Sequence, residues 1–167
     1  CCRMEYDVLS KDKKISKYKY PLSTKDLCTI ENIGSLIESG VDSLKIEGRM
    51  KRKEYVYLVT SLYRKAIDSY IKTGSVDISD KEIENLLSMF NRKFTRGFLF
   101  NENNNNFINP IRPNHMGIPL GSVIDYKIGY VTIKLNHVLN KGDGNRIIGI
   151  TGGTVNYSVF GGSNGYQ

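Results

Sequence analysis

The sequence predicts an α/β segment followed by an all-β module. Three observations carry that prediction. Apolar residues recur at helical spacing in three stretches between Leu27 and Phe90, and a short strand pattern, Val41–Ile46, separates the first two. Past residue 106 the apolar period changes to the two-residue alternation of strands. Between these regions lies Asn101-Glu102-Asn103-Asn104-Asn105-Asn106, a polar run that reads as a linker. The expected division is therefore 1–105 as the α/β part and 106–167 as the β module.

Residues 1–20 are polar and rich in lysine (Lys11, Lys13, Lys14, Lys17, Lys19) and read as an irregular loop or a short hairpin with a solvated surface. Ser23-x-x-Asp26 has the spacing of a capping box, and Leu27, Ile30, Ile33, Leu36 and Ile37 form one apolar helical face. Gly40 stands where a helix C-terminal glycine belongs. The strand Val41–Ile46 sets Asp42, Leu44 and Ile46 on one side and Ser43, Lys45 and Glu47 on the other. A long helix is predicted from Glu54 to Lys72, striped by Tyr55, Leu58, Val59, Leu62, Ala66 and Ile67 and closed by Gly74. A further helix starts at Ser79, where Glu82 completes a second capping box, and buries Ile83, Leu86, Leu87 and Phe90.

In the β module, Gly121–Tyr126, Gly129–Leu135 and Arg146–Ile150 read as short strands, with Gly142-Asp143-Gly144 as a turn. From Ile147 to Gln167 no residue is charged and glycines recur, so the reading stays open among edge strands, a tail and a sequence artefact. The chain starts Cys1-Cys2-Arg3, and its first regular elements look like the end of a larger fold, so it reads as the C-terminal piece of a longer protein.

One strand between helices cannot bury both of its own faces and calls for sheet neighbours. An α–β–α run of this kind suits the end of an α/β barrel or of a doubly wound sheet. In barrels the functional face lies at the C-terminal ends of the strands. That end here carries Lys45, Glu47, Arg49, Lys51 and Arg52. Two readings stand: an internal Lys45–Glu47 salt bridge, or side chains that contact a ligand.

The 167 residues hold 24 Lys and Arg against 17 Asp and Glu, a net charge of +7 that favours a polyanionic partner, RNA first. Arg49, Lys51, Arg52 and Lys53 make one basic cluster. Arg92, Lys93 and Arg96 make another, interleaved with Phe94, Phe98 and Phe100. The cations are candidate phosphate contacts, and the aromatics read either as base-stacking or as alternating core residues. No apolar run approaches the roughly 18 residues that span a bilayer, so no membrane is expected. Three cysteines, an odd number, suit a reducing compartment such as the cytoplasm. The two histidines come with no H-E-x-x-H, and no G-x-S-x-G is present, so nothing singles out a hydrolytic nucleophile. His115, between Pro113 and Pro119, reads as a turn hydrogen-bonder or a substrate contact. Cys28 near an expected helix start reads as a small buried hydrophobe or as a thiolate favoured by the helix dipole.

The stretch YPLSTKDLCTIENIGSLIESGVDSLKIEGRMKRKEYV, with Lys25-Asp26-Leu27-Cys28 and Ile46-Glu47-Gly48-Arg49-Met50-Lys51 at its heart, closely resembles the collagenase-like peptidase family U32. FNRKFTRGFLF, NHMGIPLGSV and LNHVLNKGDGNRI resemble later segments of the same family, so the likeness runs from about Cys2 to Arg146. Asn145 departs from the apolar residue usual after G-D-G, and the likeness fades beyond it.

The resemblance implies the terminal elements of a TIM-like barrel plus a small C-terminal β-barrel. It implies a [4Fe–4S] cluster held by four cysteines, with Cys28 on the last ligand position and Cys2, in Cys2-Arg3-Met4-Glu5-Tyr6, a ligand or a near neighbour. The other ligands of that pattern have no counterpart in this chain. It implies oxygen-independent RNA hydroxylation, at a tRNA wobble uridine first. The implied partners are RNA, tRNA above all, and a paralogous family member. Lys45, Glu47, Arg49, Lys51, Arg52, Arg92, Arg96 and His115 are then the candidate substrate contacts. Two alternatives stay open: a collagenase-like peptidase, and a non-catalytic RNA-binding module.

Overall fold

The computed structural model describes residues 2–15, 18–49, 51–100, 107–139, 143–150 and 156–162. The expected linker 101–106 and Gly142 of the expected turn lie outside them. The chain forms two compact units: residues 1–86 with 92–114, and residues 87–91 with 115–167. The sequence division near residue 105 falls inside the second segment of the first unit.

The first unit opens with a hairpin of β1 (Leu9–Ser10) and β2 (Lys13–Lys14), turned by Lys11 and Asp12 at φ of 48° and 60°. Next comes β3 (Asp26–Leu27), which pairs in parallel with β4 (Phe94–Thr95). A 3₁₀ turn over Ile30–Asn32 leads into α1 (Ile33–Glu38). The capping box expected at Ser23 and Asp26 is not formed, and the helix starts later. Asp26 is drawn into the ladder, its N–H donating to the Lys93 carbonyl at 2.9 Å, while Ser23 Oγ is buried without a hydrogen bond among the described residues.

The strand expected at Val41–Ile46 also differs: residues 41–48 join no ladder among the described residues. Its alternation is that of a strand, but a strand exists only through a hydrogen-bonded neighbour, and none lies beside it among the described residues.

α2 (Lys53–Thr73) matches its expected limits to within a residue. Glu54 in its first turn and Lys72 in its last suit the helix dipole, and Gly74 closes it in the left-handed region at φ 73°. α3 (Asp80–Met89) begins with the expected capping box. Ser79 N–H donates to Glu82 Oε2 at 2.9 Å, and Glu82 N–H returns to Ser79 Oγ at 3.3 Å. The apolar stripes of these helices meet in one core of Ile30, Ile33, Val59, Leu62, Ala66 and Leu86. Phe94 packs against it, whereas Phe98 is 74% exposed and Phe100 lies under Arg96, whose guanidinium carbon is 5.8 Å from the ring centroid. The basic–aromatic segment is thus part core and part surface.

The second unit is an antiparallel sheet of β5 (Ile118–Lys127), β6 (Tyr130–Leu135), β7 (Gly144–Ile150) and β8 (Asn156–Gly162), in the order β6-β5-β8-β7. Among the described residues it is open: β6 and β7 are its edges. The neutral, glycine-rich run after Ile147 supplies the end of β7 and the whole of β8, which sits centrally and pairs with both β5 and β7. A central strand needs backbone groups rather than charges, and this run has the former and lacks the latter.

Candidate functional site

The chemistry-bearing residues of the first unit gather around a cleft of about 500 Å³. Lys45, Glu47, Arg49, Lys51 and Arg92, five of the predicted contacts, line it. Arg3, Asp26, Tyr55 and Tyr63 line it too, though none stood out as a site residue in the sequence. Tyr55 and Asp26 were masked there by ordinary structural roles, an apolar stripe and a helix cap.

The β3–β4 ladder sets the cleft's central pair. Arg92 donates to Asp26 through Nη2 at 2.5 Å and through Nε at 3.1 Å, and both side chains are mostly buried. The hydrogen bonds to Asp26 hold the guanidinium pKa up against burial, with weaker help from Asp26's charge, Cys2 and Tyr55.

Lys51 stands 5.4 Å from the Tyr55 ring centroid. Burial lowers its ammonium pKa to about 8; Asp26 opposes the shift, and Arg92 and Arg3 add to it. Tyr55 is shifted up, by burial first and then by Asp26 and Cys28. The Lys45–Glu47 salt bridge is not formed. Glu47 Oε1 instead accepts the Arg49 N–H at 2.7 Å. Both Lys45 and Glu47 remain exposed on the cleft wall.

Cys28 follows β3 and is half-buried against the core. Its N–H donates to the Thr95 carbonyl at 2.9 Å, and Tyr63 Oη, which accepts the Thr29 N–H at 2.9 Å, lies 4.0 Å from the sulfur. The expected helix-dipole stabilisation of a thiolate does not dominate. Burial pushes the thiol up, and the Ile30 backbone N–H and Tyr63 only partly offset it. The physical reason is placement, because Cys28 precedes a short 3₁₀ turn rather than starting a long helix.

Cys2 is exposed. No group of three or more His, Cys, Asp or Glu side chains is arranged for a metal ion among the described residues. Two thiols do not make a four-thiolate site, so these residues do not fit a complete cluster by themselves.

The remaining candidates lie elsewhere. Arg52 is the exposed residue preceding α2, and Arg96 rests on Phe100. His115 belongs to the second unit, where Nδ1 accepts the Asn91 N–H at 2.8 Å and the ring stacks on Phe90 at 5.6 Å. That is a turn-fixing arrangement.

The comparisons bear on this site directly. The chain is 40% identical over 144 residues to an uncharacterized protease of Methanocaldococcus jannaschii, covering 82% of this chain and 35% of the relative. It is 41% identical over 105 residues to the tRNA hydroxylation protein P1 of Bacillus subtilis, covering 58% of this chain and 25% of the relative. It is 29% identical over 154 residues to a 23S rRNA 5-hydroxycytidine synthase of Escherichia coli, covering 88% of this chain and 24% of the relative. The chain therefore spans about a third or less of the length of these relatives. No solved structure matches it. The family model of peptidase family U32 matches residues 1–109, which hold the whole lining of the cleft, and the chain belongs to that family.

Proposed function

We propose that this chain is the C-terminal part of a U32 protein that hydroxylates RNA, with a tRNA wobble uridine as its first target. The observation that carries the reading is the cleft. Arg3, Lys45, Arg49, Lys51 and Arg92 converge there against only Asp26 and Glu47, a surplus of positive charge suited to a phosphate-bearing substrate. Two relatives named for RNA hydroxylation support the choice of reaction.

Within that reading, Arg92 is fixed by Asp26 and gives the cleft a rigid cation. Lys45 and Arg49 on the wall reach for phosphate oxygens. Lys51, with a pKa near 8, exchanges a proton with little cost at neutral to mildly alkaline pH. Cys28 and Cys2 would contribute two thiolates to an iron–sulfur cluster whose other ligands lie outside the described residues. The barrel expectation belongs to the same proposal: residues 41–48 would gain their ladder from strands elsewhere in the longer protein.

The test is nucleoside mass spectrometry of tRNA from cells lacking the full-length gene. Loss of 5-hydroxyuridine-derived nucleosides, restored by the intact gene but not by its Cys28→Ser variant, is the expected result. Unchanged tRNA and ribosomal RNA profiles would overturn the reading. The archaeal relative's name favours a second one, a peptidase. It requires peptide cleavage by the purified full-length protein that persists after iron removal.

A further inference from the structure

We propose that the Lys127–Tyr130–Lys134 face of the β5–β6 hairpin is a stacking platform for unpaired RNA, built from residues other than those of the cleft; the proposal rests on the RNA reading above. Register decides which residues share that face. Lys127 lies opposite Tyr130, Asp125 opposite Thr132, and Ser122 opposite Lys134. Directly opposed residues of an antiparallel pair point to the same side, so these six side chains form one strip. All six are exposed, and Tyr130 is 79% exposed. On the other face Val123 and Ile133 are half-buried, while Tyr126, Val131 and Leu135 are exposed. The hairpin thus presents a Tyr–Lys–Lys strip on one face and a largely apolar, partly exposed face on the other.

Two features make the strip suit single-stranded RNA better than a protein surface. A tyrosine ring held on a strand offers a flat face to any base, and exposed lysines beside it can each take a phosphate. The charge also agrees: residues 115–167 carry Lys127, Lys134, Lys141 and Arg146 against Asp125 and Asp143, four cations to two acids. Asp125 is engaged by Lys127 at 3.8 Å, while Lys134 at the far end of the strip forms no ion pair among the described residues. Gly129, at φ 84° in the two-residue turn, lets the strands reverse tightly enough to set Lys127 beside Tyr130. A single stack on Tyr130 with phosphates on Lys127 and Lys134 is the contact proposed.

The experiment measures binding of an unstructured, fluorescein-labelled oligouridylate to the full-length protein by anisotropy, across a salt series. Tyr130→Ala is expected to weaken binding about ten-fold, the size of one lost base stack, and Tyr130→Phe to leave it near wild type. The pair Lys127→Ala and Lys134→Ala is expected to reduce the slope of log Kd against log salt by about 1.4, from about 0.7 per phosphate contact on a single strand. Unchanged affinity in Tyr130→Ala, or no binding by the wild type, overturns the platform. A changed oligomeric state in Tyr130→Ala with unaltered RNA affinity overturns it in favour of a protein interface. Nucleoside mass spectrometry separates the two levels. If tRNA hydroxylation depends on the gene while Tyr130→Ala binds RNA normally, the platform fails and the RNA reading survives. If hydroxylation is independent of the gene, the RNA reading fails whatever the binding result.

Discussion

Arg92 grips Asp26 with two nitrogens, at 2.5 and 3.1 Å, across 66 residues of sequence. The contact is possible because β3 and β4 run side by side, in register Asp26 to Phe94. It fixes the base of the cleft and ties the segment after α3 to the segment before α1.

Removing one partner leaves a mostly buried charge without its counter-ion. Arg92→Ala is expected to lower stability by about 2 kcal/mol, between the small value of exposed pairs and the larger cost of breaking buried ones. Urea unfolding of Arg92→Ala, Asp26→Asn and the double variant gives the coupling. A loss below about 0.5 kcal/mol would place the pair among exposed ones.

Lys51 is expected to react as an amine well below the pH of ordinary lysines. Competitive acylation followed by peptide mass spectrometry should give it a midpoint near pH 8, against the usual 10.5. The linked stability effect has a definite sign. The folded protein disfavours the ammonium, so the unfolded chain binds that proton more tightly and stability rises with pH between about 8 and 10.5. Lys51→Met should abolish that rise. A labelling midpoint near 10 would show that the cleft does not desolvate the side chain.

Glu82 is held at a pKa of about 2, by the Ser79 backbone N–H first, then Lys65 and the Ser79 hydroxyl. Its contribution is complete above the ordinary carboxylate value of 4.5 and is lost as pH falls towards about 2. The urea midpoint of the wild type should therefore fall more steeply over that window than that of Glu82→Gln. Parallel curves would remove the capping box as the cause.

The groove between α1, residues 41–46 and α2 leaves apolar surface in solvent, with Val41 and Leu44 at 43% and 37% exposure. The isolated 167-residue chain is expected to bind a hydrophobic dye and to melt over a broad range, and Leu44→Ser should reduce the dye signal. A sharp melt without dye binding would mean that this surface needs no further cover.

Where sequence sufficed, local forces decided. α2 and the capping box of α3 were legible because a 3.6-residue stripe, charges matched to the helix dipole and a terminal glycine act within a few residues of one another. β5, β6 and the start of β7 were legible from alternation, whereas the central β8 was not, and the concentration of cations near Lys45, Arg49 and Lys51 was visible as a count.

Partnerships over long separations were not legible. Ser23 and Asp26 have the spacing of a helix cap, yet the parallel ladder with Phe94 and Thr95 takes Asp26 away and delays α1 to Ile33. Val41–Ile46 has the alternation of a strand, but a ladder is a property of two segments, and the second is not among the described residues. Of the two readings of Lys45 and Glu47, the ion pair is not formed, because the backbone N–H of Arg49, only two residues on, takes the carboxylate. The sequence by itself determined α2 and α3, the charge and the family's motif residues. Tertiary structure alone decided that Arg92 meets Asp26 and that Lys51 is desolvated in a cleft shared with Asp26 and Arg92, because both depend on which distant segment lies alongside.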